Sequence, residues 1–254
     1  MPSSIAELRS ILERRWQGAV PRPQAGYDGI ARGFRAQGFE LLLGSNSFPA
    51  GRLVELFGAR SSGKTTLAFA MLAACTRAGG IGAYIDLSQT FFAPAAAAAG
   101  IDMRRLIVVR PRGAAASLRA LDALVRGGAC AVVAFDGSEV PGVLRAQHCA
   151  RLAAQAEKTG TTVLIVSAGD ESAVASFTSL RLRACGLAPL WQGGSDAGGR
   201  LLGCTTSIEI AKSRTFAPGR TAHFAAALPD VAGTWPDAAD DRIDSIAVVA
   251  ALAP

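Results

Sequence analysis

The strongest chemical signal in the chain is one run of eight residues. Gly58-Ala59-Arg60-Ser61-Ser62-Gly63-Lys64-Thr65 matches the pattern G-x-x-x-x-G-K-[ST] in full. Glycines in this pattern let consecutive backbone N–H groups turn inward and cradle a phosphate at the start of the next helix. We expect Lys64 to reach the terminal phosphates, Thr65 to bind magnesium and Thr66 to complete the nucleotide-binding segment. The alternative is a glycine-rich turn that binds nothing.

A carboxylate at the end of a buried strand is the second component of a magnesium–nucleotide site. Asp136 ends the apolar run AVVAFD, about seventy residues after the loop, and is expected to hold the metal through water. Asp86 ends the run IGAYID in the same way, and the sequence leaves open whether its role is structural or catalytic. The loop and Asp136 together predict that the chain binds ATP and Mg²⁺.

These side chains must be positioned by a sheet, and the hydropathy pattern predicts one. Short apolar runs alternate with alanine- and leucine-rich helical stretches, which is typical of a parallel sheet with helices on both faces. The predicted strands are 53–57, 81–86, 106–110, 130–136 and 161–167, and the predicted helices are 64–78, 93–99, 114–126 and 143–158. Later strands at 176–184, 204–213 and 221–228 follow one another without long helices, and we expect them to extend the sheet in antiparallel fashion. The glycine-rich stretch 186–203 is expected to be an exposed hairpin tip.

The two ends of the chain differ from this core. Residues 1–20 contain an amphipathic helix that begins at Ser4, with Glu7 at capping-box spacing. Its apolar face packs either on its own domain or on a partner. Residues 21–43 are expected to be a linker and lead-in, 44–228 the nucleotide-binding core, and 229–254 a loosely ordered tail.

Composition narrows the class of protein. The chain has 254 residues, half of them hydrophobic, which excludes global disorder. It carries a net charge of +6, which permits a nucleic-acid partner without requiring one. Scattered cysteines argue against a disulfide framework or a zinc site. No apolar run reaches the length of a membrane span, and charged residues such as Glu7, Arg9 and Glu13 stand where a signal sequence would be apolar. We therefore expect a cytoplasmic protein without membrane contact.

The quoted motifs give a more specific resemblance. The segments GRLVELFGARSSGKTTLAFAMLAACTRAGGIGAYID, MRRLIVVRP and CAVVAFD resemble the ATP-binding core of the RecA recombinase family, and AKSRTFAPGRTAHF resembles that family's last core strands. The resemblance runs from about Gly44 to Leu228 and implies a RecA-like α/β fold. It also implies a nucleotide held between subunits, with Lys212 and Arg214 reaching a neighbour's terminal phosphate. Ordinary surface charges are the alternative for these two residues.

The chain departs from the family where hydrolysis and DNA exchange take place. Ser88 stands where the family has the glutamate that activates water, and a hydroxyl is no general base at neutral pH without a partner. Glu139 is the nearest spare carboxylate, with no known role, and Ala95 replaces a stacking tyrosine. Only residues 168–175 remain of the long DNA-binding loop, and the glutamine that couples it to phosphate is absent. Arginines such as Arg181 and Arg183 are still available for contacts to a phosphate backbone.

Size and these losses make the chain similar to the ImuA group, RecA-like accessory proteins of bacterial SOS mutagenesis cassettes. That likeness implies contacts with a RecA-type recombinase and a translesion polymerase-like protein, with weak or absent ATP hydrolysis. Contact with single-stranded DNA and self-association stay open. Two alternatives remain: an active DNA-dependent ATPase of the recombinase class, and a small-molecule phosphotransferase.

Overall fold

One eight-stranded sheet forms the centre of the molecule. The computed structural model describes residues 40–43, 48–140, 142–170, 172–192, 200–215 and 217–227. The strands are β1 (Leu53–Gly58), β2 (Gly82–Asp86), β3 (Leu106–Val109), β4 (Val132–Asp136), β5 (Thr162–Val166), β6 (Leu180–Gln192), β7 (Arg200–Ser213) and β8 (Thr221–Ala227). They lie in the order β3-β2-β4-β5-β1-β6-β7-β8. Strands β1 to β6 pair in parallel, and β7 and β8 add the predicted antiparallel strands. The prediction is wrong for β6, which is expected in the antiparallel extension and instead lies parallel to β1.

Helices cover both faces of the parallel part. They are α1 (Glu40–Leu43), α2 (Lys64–Arg77), α3 (Ala93–Ala98), α4 (Ala114–Gly127) and α5 (Ala146–Thr159), with a 3₁₀ turn at Met103–Arg105. Every residue of β1, β2, β4 and β5 is buried, which explains why these strands read as continuous apolar runs. Two apolar clusters result, one with α2 and the other with α4 and α5. This mostly parallel α/β sheet with antiparallel C-terminal strands is the architecture that the resemblance implies.

The stretch 186–203 differs from the prediction of an exposed hairpin tip. Most of it is strand, because β6 continues to Gln192 and β7 starts at Arg200. Cross-strand pairs such as Leu187 with Thr206 continue the ladder beyond the core, with shifts of register. Backbone hydrogen bonding between two strands therefore overrides the glycine-rich composition. We call the pair β6 and β7 the ribbon.

The lead-in also contributes to the core. Leu42 and Leu43 of α1 are fully buried in the cluster beside α2, so packing begins before residue 44. The predicted N-terminal helix within 1–20 and the predicted tail 229–254 lie outside the described residues. Among the residues that are described, no helix has the length and apolar character needed to span a membrane.

A buried ion pair joins β1 to β6. Glu55 is fully buried, and its Oε2 lies 2.5 Å from Nε of Arg181. Oε1 of Glu55 accepts a hydrogen bond of 2.7 Å from the Ser167 hydroxyl. The Arg181 guanidinium also lies 4.2 Å from the centre of the Phe57 ring. Arg181 is therefore a structural residue of the sheet, and the idea that it contacts a nucleic-acid backbone is not supported by its position.

Candidate nucleotide-binding site

The phosphate loop, residues 58–65, has the backbone that its glycines predict. Gly58 adopts φ 142° and Gly63 φ 90°, values that favour glycine. A Cβ on Gly58 would lie 2.3 Å from the backbone oxygen of Ala184 in β6, a distance no side chain tolerates. The chain leaves β1 through this tight turn and enters α2 directly at Lys64. The N-terminal end of α2, with its unpaired N–H groups and positive partial charge, therefore faces the loop.

The ribbon supports the other side of the loop. The Thr206 hydroxyl of β7 donates a hydrogen bond of 2.8 Å to the backbone oxygen of Ser62. A Cβ on Gly63 would lie 3.2 Å from Leu187 and 3.3 Å from Thr206, so β6 and β7 pack closely on the second glycine. The loop is thus held between α2 and two strands that lie more than a hundred residues further along the chain.

Lys64 points back into the loop that contains it. Its Nζ donates hydrogen bonds to the carbonyl oxygens of Gly58, at 2.9 Å, and of Ala59. Burial lowers the pKa of Lys64, while the nearby carboxylates of Asp136 and Glu139 act in the opposite direction. The ammonium is therefore poorly solvated and held only by neutral carbonyls, which favours its transfer to an anionic phosphate.

Asp136 is buried at the end of β4 and is fixed by three hydrogen bonds. Tyr84 donates its hydroxyl to Oδ2 at 2.7 Å. Ser138 donates both its backbone N–H, at 3.1 Å, and its hydroxyl, at 2.7 Å, to Oδ1. Burial and the Asp136 carboxylate raise the pKa of Tyr84 far above its ordinary value, so this phenol stays a donor at any working pH. These contacts set the direction of the carboxylate without neutralising its charge.

Asp86 makes contacts that favour the structural alternative for its position at a strand end. It lies opposite Asp136 in the β2–β4 register and is fully buried. It accepts hydrogen bonds from the N–H groups of Thr90, at 2.8 Å, and Phe91, at 3.1 Å. Arg110 forms an ion pair of 3.0 Å with it and also donates to the Phe91 oxygen. Asp86 thus organises the turn after β2, with its charge already compensated.

The turns after β2 and β4 meet beside the phosphate loop. Ser88 Oγ accepts a hydrogen bond of 3.4 Å from the backbone N–H of Glu139. The Glu139 carboxylate in turn forms an ion pair of 2.6 Å with the guanidinium of Arg60 in the loop. Position 88, which lacks the expected glutamate, therefore has a carboxylate-bearing residue as its neighbour. The chain separation of 51 residues hides this contact from sequence reasoning.

The residues present fit ATP with Mg²⁺. The Ser62 hydroxyl is buried without a hydrogen-bond partner inside the loop, and such a group marks a place where a polar ligand is missing. Thr65 lies half-buried in the first turn of α2. No group of three His, Cys, Asp or Glu side chains able to hold a metal occurs among the residues described. A single carboxylate plus a hydroxyl suits Mg²⁺, which takes its other ligands from phosphate oxygens and water.

The positions of Lys212 and Arg214 bear on the predicted role between subunits. Lys212 Nζ donates to the backbone oxygens of Ala175, at 2.6 Å, and Ser176, at 3.4 Å. Lys212 therefore ties the end of the short 168–175 loop to β7. Arg214 is exposed just beyond β7, and its N–H donates to the Ser179 oxygen at 3.1 Å. The role of both residues toward a neighbouring subunit stays a prediction.

Tyr84, Ser138 and Thr206 are the site residues that sequence reasoning missed. One of them carried a usable signal. Tyr84 pairs with Ala134 in the β2–β4 register, so Asp136 is its diagonal neighbour on the same face of the sheet. Tyr84 lies two positions before Asp86 at the end of β2, and the neighbouring strand β4 ends in Asp136. Once β2 and β4 are known to be neighbours, these positions predict the hydrogen bond from Tyr84 to Asp136. No sequence signal pairs Thr206 with Ser62.

Comparison with known proteins agrees with this geometry. Residues 27–144 match the RecA N-terminal domain. Protein RecA of Wolinella succinogenes is 29% identical over 255 residues, covering 85% of this chain and 71% of the relative. Protein RecA of Rubrobacter xylanophilus is 31% identical over 213 residues, covering 73% and 62%.

Protein RecA of Thermus thermophilus is 34% identical over 174 residues, covering 63% of this chain and 51% of the relative. The chain thus spans between about half and seven tenths of the length of these relatives. The segment that matches the RecA N-terminal domain includes the phosphate loop and Asp136. The chain therefore has a RecA-like α/β fold, its residues 27–144 match the model of the RecA N-terminal domain, and it is distantly similar to RecA proteins.

Proposed function

We propose that the chain is a nucleotide-binding accessory protein of the bacterial DNA-damage response, similar to the ImuA group. It acts in the cytoplasm and supports error-prone translesion synthesis through contacts with a RecA-type recombinase and a translesion polymerase-like protein. The observation that carries the proposal is a complete phosphate loop beside position 88, where a serine replaces the water-activating glutamate. ATP binding is retained under this proposal, and hydrolysis is slow.

The loop that in recombinases holds DNA supports the same proposal. Here residues 168–175 are short, and Lys212 and Arg181 fix the segment by donating to the backbone oxygens of Ala175 and Asp170. Side chains that bind the carbonyls at both ends of a loop oppose the large movement that a nucleotide-gated DNA loop requires. We expect little stimulation of hydrolysis by single-stranded DNA.

An active DNA-dependent ATPase is the second candidate. It is favoured by one specific observation, the presence of Glu139 against Ser88. A carboxylate in that place could replace the missing glutamate well enough for rapid turnover. The two candidates share nucleotide binding and differ in rate and in the response to DNA.

The test measures nucleotide binding by titration and ATP hydrolysis with and without single-stranded DNA on one sample. Lys64→Ala is the control for specific binding, because it removes the ammonium that faces the phosphates. Tight binding with slow turnover and no response to DNA supports the accessory proposal. Strong stimulation by DNA moves the ATPase to first place, and absence of binding in the unaltered chain refutes both.

A further inference from the structure

Glu139 is a carboxylate at the nucleotide site to which none of the roles described above is assigned. It follows β4 by three residues, in a turn closed by the hydrogen bond of 3.0 Å from the Val140 N–H to the Gly137 oxygen. Two contacts place it beside the phosphate loop and position 88, because its N–H bonds Ser88 and its carboxylate pairs with Arg60. Its charge also acts on Lys64, whose pKa it raises against the effect of burial. The Glu139 side chain is about two-fifths exposed, so water reaches it.

We propose that Glu139 is the residue that accepts the proton from the attacking water during slow ATP hydrolysis by this chain. The turn after β4 thus supplies the carboxylate that position 88 in the turn after β2 lacks. This inference rests on the nucleotide binding proposed above and identifies the source of the residual turnover.

The proposed step balances without another reactant. The water oxygen forms a bond to the γ-phosphorus while the bond from that phosphorus to the bridging oxygen breaks. One water proton passes to the Glu139 carboxylate, and ADP leaves with the electron pair of the broken bond. Glu139 later returns the proton to solvent, which its partial exposure permits.

The ion pair with Arg60 explains why the step is slow. The guanidinium holds the carboxylate at 2.6 Å, so the ion pair must open before the carboxylate can turn toward the attacking water. Arg60 itself is four-fifths exposed, so the pair can open at modest cost. Turnover then depends on the open fraction of the pair as well as on the chemical step.

The first experiment measures single-turnover ATP hydrolysis with protein in excess, which detects slow rates. Glu139→Gln is expected to lower the rate about 100-fold, the usual contribution of a general base. Glu157→Gln is the matched control, because Glu157 pairs with the exposed Arg52 away from the site. The double variant Ser88→Glu/Glu139→Gln moves the carboxylate from position 139 to position 88, and it is expected to restore turnover. An unaltered rate in Glu139→Gln, or no turnover in the original chain, overturns the inference.

The second experiment measures binding, independent of turnover. A carboxylate that faces the γ-phosphate repels ATP more than ADP, so its removal should favour ATP. To exclude the effect of a liberated Arg60, Arg60→Gln is compared with Arg60→Gln/Glu139→Gln. We expect the second variant to bind ATP roughly fivefold tighter relative to ADP. An unchanged ATP-to-ADP ratio means that Glu139 does not face the γ-phosphate and overturns the inference. Loss of all nucleotide binding in the original chain would instead refute the proposed function.

Discussion

Replacing Arg181 by methionine should destabilise the chain strongly, because it leaves a buried carboxylate without its cation. Glu55 is fully buried, and the Arg181 side chain is only 14% exposed. Breaking such a pair costs about 3–5 kcal/mol. The hydrogen bond from Ser167 remains and offsets about 1 kcal/mol of this, so we expect a loss of about 3 kcal/mol in the free energy of unfolding. Such a loss is a large part of the stability of a typical domain.

Urea unfolding provides the measurement, with the exposed Arg52 as the control. Arg52 pairs with Glu157, and their side chains are 42% and 61% exposed. Arg52→Met should therefore cost less than about 1 kcal/mol. In Glu55→Met/Arg181→Met both charges are gone, and most of the lost stability should return. A loss below about 1 kcal/mol in Arg181→Met, or a double variant as unstable as the sum of its parts, would refute the reasoning.

Three further predictions concern the nucleotide site. Lys64→Ala should weaken ATP binding by about 100-fold without unfolding the protein, as measured by titration and thermal unfolding; unchanged affinity would contradict the assigned role. Gly58→Ala should lower the free energy of unfolding by at least about 2 kcal/mol, because the φ of Gly58 and the nearby backbone of β6 both exclude a side chain. The control Gly113→Ala, at φ 85° and with open space around it, should cost about 1 kcal/mol. Equal losses in the two variants would count against the close approach of β6 to Gly58. Tyr84→Phe should cost about 1–2 kcal/mol at neutral pH and weaken the magnesium dependence of ATP binding. The pKa of Tyr84 is raised in the folded chain, so the contribution of Tyr84 to the free energy of unfolding is complete below its ordinary pKa of 10.0 and declines as pH rises above that value. The free energy of unfolding of Tyr84→Phe should therefore decline less steeply at alkaline pH. An identical decline in both proteins would contradict this.

The sequence predicts the phosphate loop and the buried strands well, because short stretches of neighbouring residues determine them. The phosphate loop is eight consecutive residues whose glycines fix its backbone, and the strands that carry Asp86 and Asp136 are continuous apolar runs. The alternation of strands and helices predicts the parallel sheet, although it does not give the order of the strands. All of these appear in the structure close to where the sequence places them.

Contacts between distant residues could not be predicted in the same way. Arg181 and Glu55 are separated by 126 positions, and sequence shows two charges without showing that they meet inside the sheet. Sequence alone therefore leaves Arg181 available for nucleic acid, whereas its guanidinium is held by Glu55 and its side chain is only 14% exposed. Glu139 had no role in the sequence because its neighbour, Ser88, lies on another strand end. Glycine-rich composition likewise concealed that residues 186–192 pair with β7.

Because the ribbon packs directly on the phosphate loop, the conformation of the ribbon and the binding of nucleotide are thermodynamically linked. Thr206 bonds the Ser62 oxygen, and the backbone of β6 lies against Gly58. A protein that binds the ribbon and shifts it must change nucleotide affinity, and nucleotide must then change the affinity for that protein by the same factor. Nucleotide affinities measured on the isolated chain therefore apply only to the chain without its partner. A change in nucleotide affinity on adding an unlabelled partner would therefore report that the partner has bound.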